Sequence, residues 1–383
     1  TGEYPLCDVL IADGKIASAG RNPAYGDAPA IDCTGLTLMP SFIDLHAHFR
    51  DPGLAHKEDI ATGCRAAVHG GYTAVNLMAN TKPICSDMQT VRYVQDKAKE
   101  TGICDVFQTV SITKDFDGET LSHIDALDGV KWLSDDGFGI QSSEVMLRAM
   151  RKAHERNTGL MLHEDDSAIF PIDSYFGEEL PTLRDVRLAQ ITGCKTHFCH
   201  VSTRNAMQYI IDGKIRGANI TCEVTPHHLL LNDTNPARVN PPLRAEEHRQ
   251  ALIEAIKTGH VDAIATDHAP HTAEDKALGA PGFTMLDLAF PACYTALVKP
   301  GHISLPALSR LMSASPAKLM GLPQVTITQG SPADLVILDL EHVFTADESH
   351  IHSKSKNSPM LGMTLHGLVV MTIKEGKIVY EAD

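Results

Sequence analysis

The chain has 383 residues, 43% of them hydrophobic and 21% charged, and a formal net charge of −15. This composition is that of a globular protein and excludes a disordered or fibrous one. The negative charge also argues against nucleic acid as a partner, because it would repel a polyanion. Residues 1–13 lack the basic and apolar segments of a signal peptide, and no apolar run reaches the length of about eighteen residues that a membrane span needs. We therefore expect a cytoplasmic protein without a membrane partner.

The two ends of the chain carry similar strand patterns. Residues 8–20 and 369–381 alternate apolar and polar side chains, and both turn at an acid followed by glycine. This pattern predicts a β-hairpin at each end. A chain of this length usually forms more than one domain. The predicted domains are a small β-sandwich built from residues 1–40 and 326–383, and a catalytic domain at 41–325.

Between these ends, apolar strand patterns alternate with helical ones. The helices have typical boundary residues, for example Asp87 before 88–101 and Gly213 after 203–212. Alternating strands and helices imply parallel pairing, and eight strands predict an α/β fold of the (β/α)8 barrel type. In such a barrel the functional residues gather at the C-terminal strand ends. The eight strand candidates are residues 42–48, 72–79, 104–112, 129–135, 159–163, 196–201, 220–225 and 261–267.

Histidine and aspartate recur at the ends of these strands. Residues two apart in a strand point the same way, so His46 and His48 can both face the barrel axis and bind one ion. A lone pair of this kind is more often a hydrogen-bonded pair in a loop, but His163, His200 and Asp267 end other strands. Nitrogen and carboxylate ligands suit Zn²⁺, with Mn²⁺ or Co²⁺ as replacements. Five ligands exceed the need of one catalytic zinc and fit two ions bridged by a protein anion.

Seven motifs follow one another in order: Asp44-Leu-His-Ala-His-Phe-Arg-Asp-Pro-Gly53, Met78-Ala-Asn-Thr-Lys-Pro83, Ser134-Asp-Asp-Gly137, His200-Val-Ser-Thr203, Glu223-Val-Thr-Pro-His-His228, Asn240-Pro-Pro-Leu-Arg244 and Ala265-Thr-Asp-His-Ala-Pro-His271. This set resembles the dihydroorotases of bacterial class I type in the amidohydrolase superfamily. The resemblance spans about residues 40 to 300 and is specific, because the last two motifs occur together. The chain departs from the family pattern at residues 285–288, where Met-Leu-Asp-Leu replaces the usual Gly-x-Glu-Thr.

The resemblance implies a zinc-dependent enzyme that interconverts N-carbamoyl-L-aspartate and L-dihydroorotate in pyrimidine (UMP) biosynthesis. It implies two zinc ions per subunit, with Asp136 as the bridging anion. In other branches of the family a carboxylated lysine forms this bridge, and Lys131 is the candidate here. Asp136 is favoured because it is anionic without modification, whereas a lysine needs CO₂ and a lowered pKa. Asp135 is expected to serve the turn or to support its neighbours. The implied ligands are His46, His48 and Asp267 for the first ion and His163 and His200 for the second.

The resemblance also implies the groups that act on the substrate. Asp267 would move the proton. Arg50, two residues past His48, can bind a substrate carboxylate through two hydrogen bonds, although a salt bridge to Asp51 or Glu58 is its ordinary alternative. Residues 271–283 are a predicted lid because their glycines permit hinge motion. The remaining implied substrate contacts are Asn80, Asn240, His271, Pro281 and Gly282.

The other histidines and the cysteines have simpler expectations. His227 and His228 are expected to orient metal ligands. His69, like other histidines on helices or loops, is expected at the solvated surface. Nine cysteines without a Cys-x-x-Cys pair predict reduced, buried thiols. Cys199 should face away from His200, into packing.

Three other functions compete with this interpretation. A hydantoinase or allantoinase would depend on the carboxylated lysine and lack the context of Arg50. A non-catalytic barrel that scaffolds aspartate transcarbamoylase would have lost metal ligands. A deaminase would show a His-x-x-Glu segment after the fifth strand, which His163-Glu-Asp165 does not match. Beyond a small-molecule substrate, the expected partners are a second copy in a homodimer and, as a further possibility, aspartate transcarbamoylase.

Overall fold

The computed structural model describes residues 6–21, 26, 29–323 and 326–382. Its strands are β1 (Asp8–Ala12), β2 (Lys15–Gly20), β3 (Thr37–Pro40), β4 (Phe42–Ala47), β5 (Tyr72–Leu77), β6 (Asp105–Gln108), β7 (Trp132–Leu133), β8 (Gly159–Leu162), β9 (Thr196–Phe198), β10 (Ile220–Val224), β11 (Ala263–Ile264), β12 (Leu335–Thr345), β13 (Thr364–Lys374) and β14 (Lys377–Glu381). Its α-helices are α1 (Ile60–His69), α2 (Met88–Thr101), α3 (Ser143–Glu155), α4 (Ser174–Thr192), α5 (Arg204–Ile215), α6 (Pro226–Leu230), α7 (Glu246–Lys257), α8 (Ala273–Ala277), α9 (Ala289–Cys293), α10 (Leu305–Ser309) and α11 (Ser315–Met320).

The eight predicted parallel strands are β4 to β11. They form two runs of neighbours, β4-β5-β6 and β7-β8-β9-β10-β11. Two parallel bridges join the runs into a closed ring, Val110 with Leu133 and Ala47 with His268. The (β/α)8 barrel prediction is therefore confirmed, and the C-terminal ends of all eight strands open on one face.

Helix boundaries follow the predicted end residues except in α5. Asp87 accepts a hydrogen bond from Thr90 N at the start of α2, and Gly102 ends it in the left-handed conformation. Gly213 was predicted to end α5, which is wrong, because α5 continues to Ile215. A Cβ at Gly213 would lie 2.5 Å from Val186 and 2.7 Å from Ile220. This glycine allows close packing rather than ending a helix.

Both chain ends build the predicted β-sandwich. A four-stranded sheet has the order β14-β13-β12-β3, and β1 pairs with β2 in a second sheet. Each predicted hairpin turns through two residues of positive φ, Asp13-Gly14 (51° and 74°) and Glu375-Gly376 (48° and 76°). The sequence signal works because such turns match the twist of the flanking strands.

The β-sandwich and the barrel share apolar packing. Val336 of β12 and Val369 of β13 belong to the same buried cluster as Phe42 and Tyr72 of the barrel. Strand β3 of the β-sandwich ends at Pro40 and strand β4 of the barrel begins at Phe42, so no linker separates the two parts. The domain boundaries at 40/41 and 325/326 stay a prediction, and Val325 lies outside the described residues.

The floor of the barrel is apolar and supports the strand ends above it. Residues from six strands or their ends fill it: Leu45, Met78, Trp132, Met161, Cys199, Ala263 and Ala265. All nine cysteines lie in the described part of the chain and are free thiols, and seven are buried as predicted, whereas Cys33 is half-buried and Cys7 is exposed. None of the described helices combines the length and the apolar character needed to cross a membrane.

Candidate active site

The first strand of the barrel aims two histidines inward. The register between β4 and β5 shifts between Asp44 and Ala47, and such an irregularity re-aims side chains near functional sites. As a result Leu45 packs into the barrel floor while His46, its neighbour, contacts the carboxylates of Asp136 and Glu223. Both His46 and His48 are buried.

Asp136 lies at the centre of the histidines from three other strands. Its Oδ1 is 3.3 Å from His46 Nε2, 3.5 Å from His163 Nδ1 and 3.7 Å from His200 Nε2. Its Oδ2 is 3.7 Å from His48 Nε2. One carboxylate thus faces all four histidines that the sequence proposed as ligands.

Asp267 completes the cluster on the side of His46 and His48. Its Oδ1 is 3.1 Å from His48 Nε2 and 3.7 Å from His46 Nε2. All six predicted metal residues therefore meet at the C-terminal end of the barrel. His46, His48 and Asp267, the residues predicted for the first ion, form one set of mutually close ligand atoms. His46, Asp136 and His200 form another, which lacks His163, so the predicted pairing of His163 with His200 on the second ion stays a prediction.

Two of these residues have a left-handed backbone. His200 has φ of 34° and Asp267 has φ of 47°, which is costly for residues other than glycine and is common at functional sites. The conformation of His200 breaks the alternation of β9. Cys199 faces the barrel interior like His197, two residues before it, and packs on the floor with its Sγ within 4.8 Å of a His46 ring nitrogen. The expectation that Cys199 faces packing is met, but it does not point away from the site.

The cluster has the properties of a cation site. His46 Nε2 and Asp136 Oδ1 are buried and have no hydrogen-bond partner among the described residues. Burial raises the pKa of Asp136, but His46, His163 and His200 outweigh it and hold that pKa well below its ordinary value. Burial has the same effect on Asp267, and His48 and His46 likewise lower its pKa. Two buried carboxylates that stay ionised among imidazoles suit a divalent metal.

Two residues that the sequence analysis did not assign hold His46 in place. Glu223 Oε1 accepts from His46 Nδ1 at 2.9 Å, and its Oε2 accepts from His197 Nε2 at 3.0 Å. Burial raises the pKa of Glu223, but His197 and His46 lower it to about 2. A carboxylate behind a ligating histidine fixes the ring and strengthens it as a ligand. The available signal was a glutamate inside the otherwise uncharged strand β10.

Asp136 and Lys131, the two candidates for the bridging anion, lie at opposite ends of the barrel. Lys131 Nζ donates to the carbonyl oxygens of Met320 and Gly321, beyond the N-terminal end of β7. The structure therefore does not bring Lys131 to the cluster. Asp135 accepts hydrogen bonds from the backbone of Ile112 (2.6 Å) and Thr113 (3.1 Å). It serves the adjoining loop, as expected.

Comparison with known proteins identifies the family. A model of the amidohydrolase family matches residues 37–379. A dihydroorotase of Clostridium botulinum is 47% identical to this chain over 378 residues, which cover 98% of the chain and 95% of that protein. The chain belongs to the amidohydrolase family. Dihydroorotases of Brevibacillus brevis and Bacillus subtilis are 40% and 38% identical to this amidohydrolase over 99% of its length and cover 96% and 95% of their own.

Solved structures share its fold. An L-hydantoinase (dihydropyrimidinase) from Arthrobacter aurescens superposes with a TM-score of 0.89 at 26% identity, covering 98% of this chain and 92% of that one. A D-hydantoinase from Thermus sp. has a TM-score of 0.86 at 24% identity over the same shares of both chains. The second likeness concerns the fold alone.

The predicted substrate residues of this amidohydrolase line the rim of the cluster. Arg50, with φ of 60°, donates from Nε to Pro270 O at 3.3 Å, and its Nη2 is 3.4 Å from His271 Nε2. It forms no ion pair within the described residues, so the predicted alternatives of Asp51 and Glu58 do not occur. Burial, together with Arg50 and Lys57, lowers the pKa of His271 to about 4.

Two of the predicted substrate residues, Asn80 and Asn240, contact histidines that were predicted as metal ligands. Asn80 Oδ1 accepts from His48 Nδ1 at 2.8 Å, and Asn80 Nδ2 donates to Asp136 Oδ2 at 3.2 Å. Asn240 Nδ2 donates to His163 Nε2 at 3.1 Å. Both amides can therefore orient the cluster, and their predicted substrate contacts stay predictions.

The predicted lid, residues 271–283, contains the short helix α8, and Pro281 and Gly282 belong to its C-terminal end. Lys276 Nζ donates to the carbonyls of Ala280 and Gly282 at 2.8 and 2.7 Å, which holds the loop end down. A Cβ at Gly282, whose φ is 111°, would lie 2.8 Å from Ala269 Cβ and 3.4 Å from His271 Nε2. A side chain at position 282 would collide with Ala269, so only glycine fits here beside His271.

His227 and His228 are buried beside the cluster and differ in their contacts. His228 Nδ1 pairs with Thr225 Oγ1 at 2.8 Å, and its Nε2 lies 3.2 Å from Pro241 O. Neither ring nitrogen of His227 has a hydrogen-bond partner among the described residues. Neither histidine supports a metal ligand through a direct hydrogen bond in these contacts, so their predicted orienting role stays a prediction.

Proposed function

We propose that this chain is a dihydroorotase, which interconverts N-carbamoyl-L-aspartate and L-dihydroorotate. The observation that carries the proposal is Arg50, a half-buried guanidinium without an ion-pair partner in the described structure, at the rim of a histidine cluster centred on Asp136. The substrate is a cyclic amide with a carboxylate, and in a chain of net charge −15 such an anion needs a local cation. Relatives named dihydroorotase at 38–47% identity support the same reaction.

We further propose that the cluster holds two zinc ions. His46, His48 and Asp267 would hold one, His163 and His200 the other, and Asp136 would lie between them. Imidazole and carboxylate donors without thiolate suit this metal. Bound divalent ions supply polarisation of the substrate carbonyl and a lowered pKa for water.

The protein's own groups would perform binding and proton transfer. Arg50 can bind the substrate carboxylate through two parallel hydrogen bonds, and His271 at 3.4 Å would limit where the guanidinium lies. Asp267 is ionised and faces the cluster, so it can take a proton from attacking water. In hydrolysis it would return that proton to the leaving ring nitrogen. In the biosynthetic direction the same carboxyl would act in reverse.

A substrate pair separates this function from that of a hydantoinase. L-dihydroorotate and dihydrouracil share the ring, but only the first carries the carboxylate that Arg50 would bind. We expect zinc-loaded protein to hydrolyse dihydroorotate in preference to dihydrouracil, hydantoin and allantoin, measured by ultraviolet absorbance, and to lose activity with a chelator. Cleavage of hydantoin or allantoin without turnover of dihydroorotate would overturn the proposal.

A variant pair sharpens the same experiment. Arg50→Met should lower kcat/KM for dihydroorotate by about 100-fold, the value of a charge-assisted pair, and leave that for dihydrouracil nearly unchanged. Arg238→Met, which removes an exposed arginine near the predicted lid, should change neither. An equal loss on both substrates would show that Arg50 does not read the carboxylate. The cytoplasmic location, the homodimer and the complex with aspartate transcarbamoylase stay predictions.

A further inference from the structure

A second cluster of possible metal ligands lies away from the active site. It consists of His69, Asp287 and His352, whose ligand atoms all lie within 4.8 Å of one another. His69 ends α1, just before β5 begins, and therefore lies toward the N-terminal end of the barrel, opposite the strand ends that carry the active site. His69 was predicted to be a solvated surface histidine, which is wrong, because its side chain is only 8% exposed.

The polar atoms of this cluster are incompletely satisfied. Asp287 Oδ1 accepts a hydrogen bond from His352 N at 2.7 Å, but Asp287 Oδ2 has no partner among the described residues. His69 Nδ1 lies 3.0 Å from Asp287 Oδ1, yet it too has no partner with hydrogen-bond geometry. The Asp287 side chain is 2% exposed. A buried carboxylate oxygen without a donor is costly unless a cation faces it.

The spacing of the donor atoms fits a tetrahedral ion. Asp287 Oδ1 is 3.0 Å from His69 Nδ1 and 3.7 Å from His352 Nδ1. Ligands at zinc distances in tetrahedral geometry lie about 3.3 Å apart. The rings of His69 and His352 are stacked, with centroids 3.9 Å apart, so their Nδ1 atoms face the same carboxylate. His352 is 42% exposed, which leaves an entry path for an ion and room for a water ligand.

We propose that His69, Asp287 and His352 form a further metal site, which binds a single Zn²⁺-class divalent cation that acts in structure rather than in catalysis. The three ligands come from α1 of the barrel, from the segment after the last barrel strand, and from the loop between β12 and β13 of the β-sandwich. One ion would therefore fasten the β-sandwich to the barrel. Asp287 belongs to residues 285–288, the segment in which this chain departs from the family pattern.

Counting metal in the whole enzyme tests the proposal. The protein would be loaded with ZnCl₂, desalted, and analysed for zinc per chain by mass spectrometry. His352→Ala removes the exposed ligand with little risk to folding, and Asp287→Asn removes the charge. His342→Ala is the matched control, because His342 is an exposed histidine of the same domain outside the cluster. We expect the first two variants to bind one zinc per chain fewer than wild type and His342→Ala.

A stability measurement gives a second, independent readout. Zinc should raise the Tm of wild type and of His342→Ala more than that of His352→Ala, because only the first two would gain the cross-link. Hydrolytic activity should be the same in His342→Ala and His352→Ala. Equal zinc content in all variants, or an equal loss in His342→Ala, would overturn the proposal and leave the cluster as an ion pair. Should Asp287→Asn fail to fold, His352→Ala alone decides.

Discussion

At the scale of single residues, the two alternatives for the bridging anion separate cleanly. Asp136 faces four histidines, whereas Lys131 donates to two carbonyl oxygens at the other end of β7. We predict that Asp136→Asn loses bound metal and lowers kcat by more than about 100-fold, the upper figure for residues that only support ligands. Lys131→Met should keep its metal and most of its activity.

Metal content and turnover, measured side by side on both variants, check this prediction. Lys131→Met also removes two hydrogen bonds at the end of α11, so a modest fall in Tm is compatible with it. A Lys131→Met variant that loses metal while Asp136→Asn retains it would instead favour the carboxylated lysine.

Glu223 gives a prediction about a residue that touches no substrate. It holds His46 at 2.9 Å from the side opposite the cluster, so Glu223→Gln should loosen metal binding by about 10- to 100-fold. Glu178→Gln is the matched control, because Glu178 is an equally buried glutamate that pairs with Arg244 at 3.0 Å instead. Competition with a chelator measures the affinity.

The two glutamate variants should differ in which property they change, metal affinity or thermal stability. Glu178→Gln breaks a buried ion pair and should lower the Tm without changing the metal affinity. If both variants weaken metal binding equally, the effect of Glu223 is a general loss of structure and not the positioning of His46.

At the scale of elements, the two hairpins differ in one turn residue. Asp13 and Glu375 both occupy the first left-handed position of their turns, with φ of 51° and 48°. Aspartate and asparagine tolerate this conformation, whereas glutamate does not gain from it. We predict that Glu375→Asn stabilises the protein by about 0.5–1 kcal/mol. Glu381→Asn, at an exposed strand position of β14, should not, and urea unfolding distinguishes them.

Regular elements were predictable from the sequence, whereas local irregularities within them were not. All eight barrel strands and both hairpins were predictable, because apolar periodicity and turn residues are local signals. The meeting of His46, His48, His163, His200 and Asp267 was predictable because parallel strands end on one face, and Asp136 was added by the family resemblance. The register shift between β4 and β5 and the left-handed backbone of His200 were not predictable, since they depend on packing between strands. Alternation alone therefore misplaced the direction of Cys199.

Contacts between segments far apart in the sequence could not be predicted either. Glu223 with His197, and His69 with Asp287 and His352, are pairings of long sequence separation. No spacing rule connects them, because each partner is unremarkable within its own segment. Sequence patterns predict which face of an element is buried but not which polar groups meet there.

At the scale of the whole molecule, the β-sandwich and the barrel should unfold together. Leu338 of β12 is 0% exposed and belongs to the cluster that also contains Phe42, Tyr72 and Phe290 of the catalytic region. A shared core couples the two parts, since a cavity on one side removes contacts from the other. Trp132 is the only tryptophan and is buried in the barrel floor, so its fluorescence reports on the barrel.

We therefore predict that Leu338→Ala, a change within the β-sandwich, lowers the unfolding midpoint reported by Trp132. The cost should be about 2–5 kcal/mol, as for other buried leucines. Val343→Ala, on the same strand but 53% exposed, should cost less than about 0.5 kcal/mol. Fluorescence and far-ultraviolet circular dichroism should give the same midpoint for each variant. A Trp132 midpoint that stays at its wild-type value while the circular dichroism signal shifts would mean that the sandwich unfolds alone, and that the shared core does not couple it to the barrel.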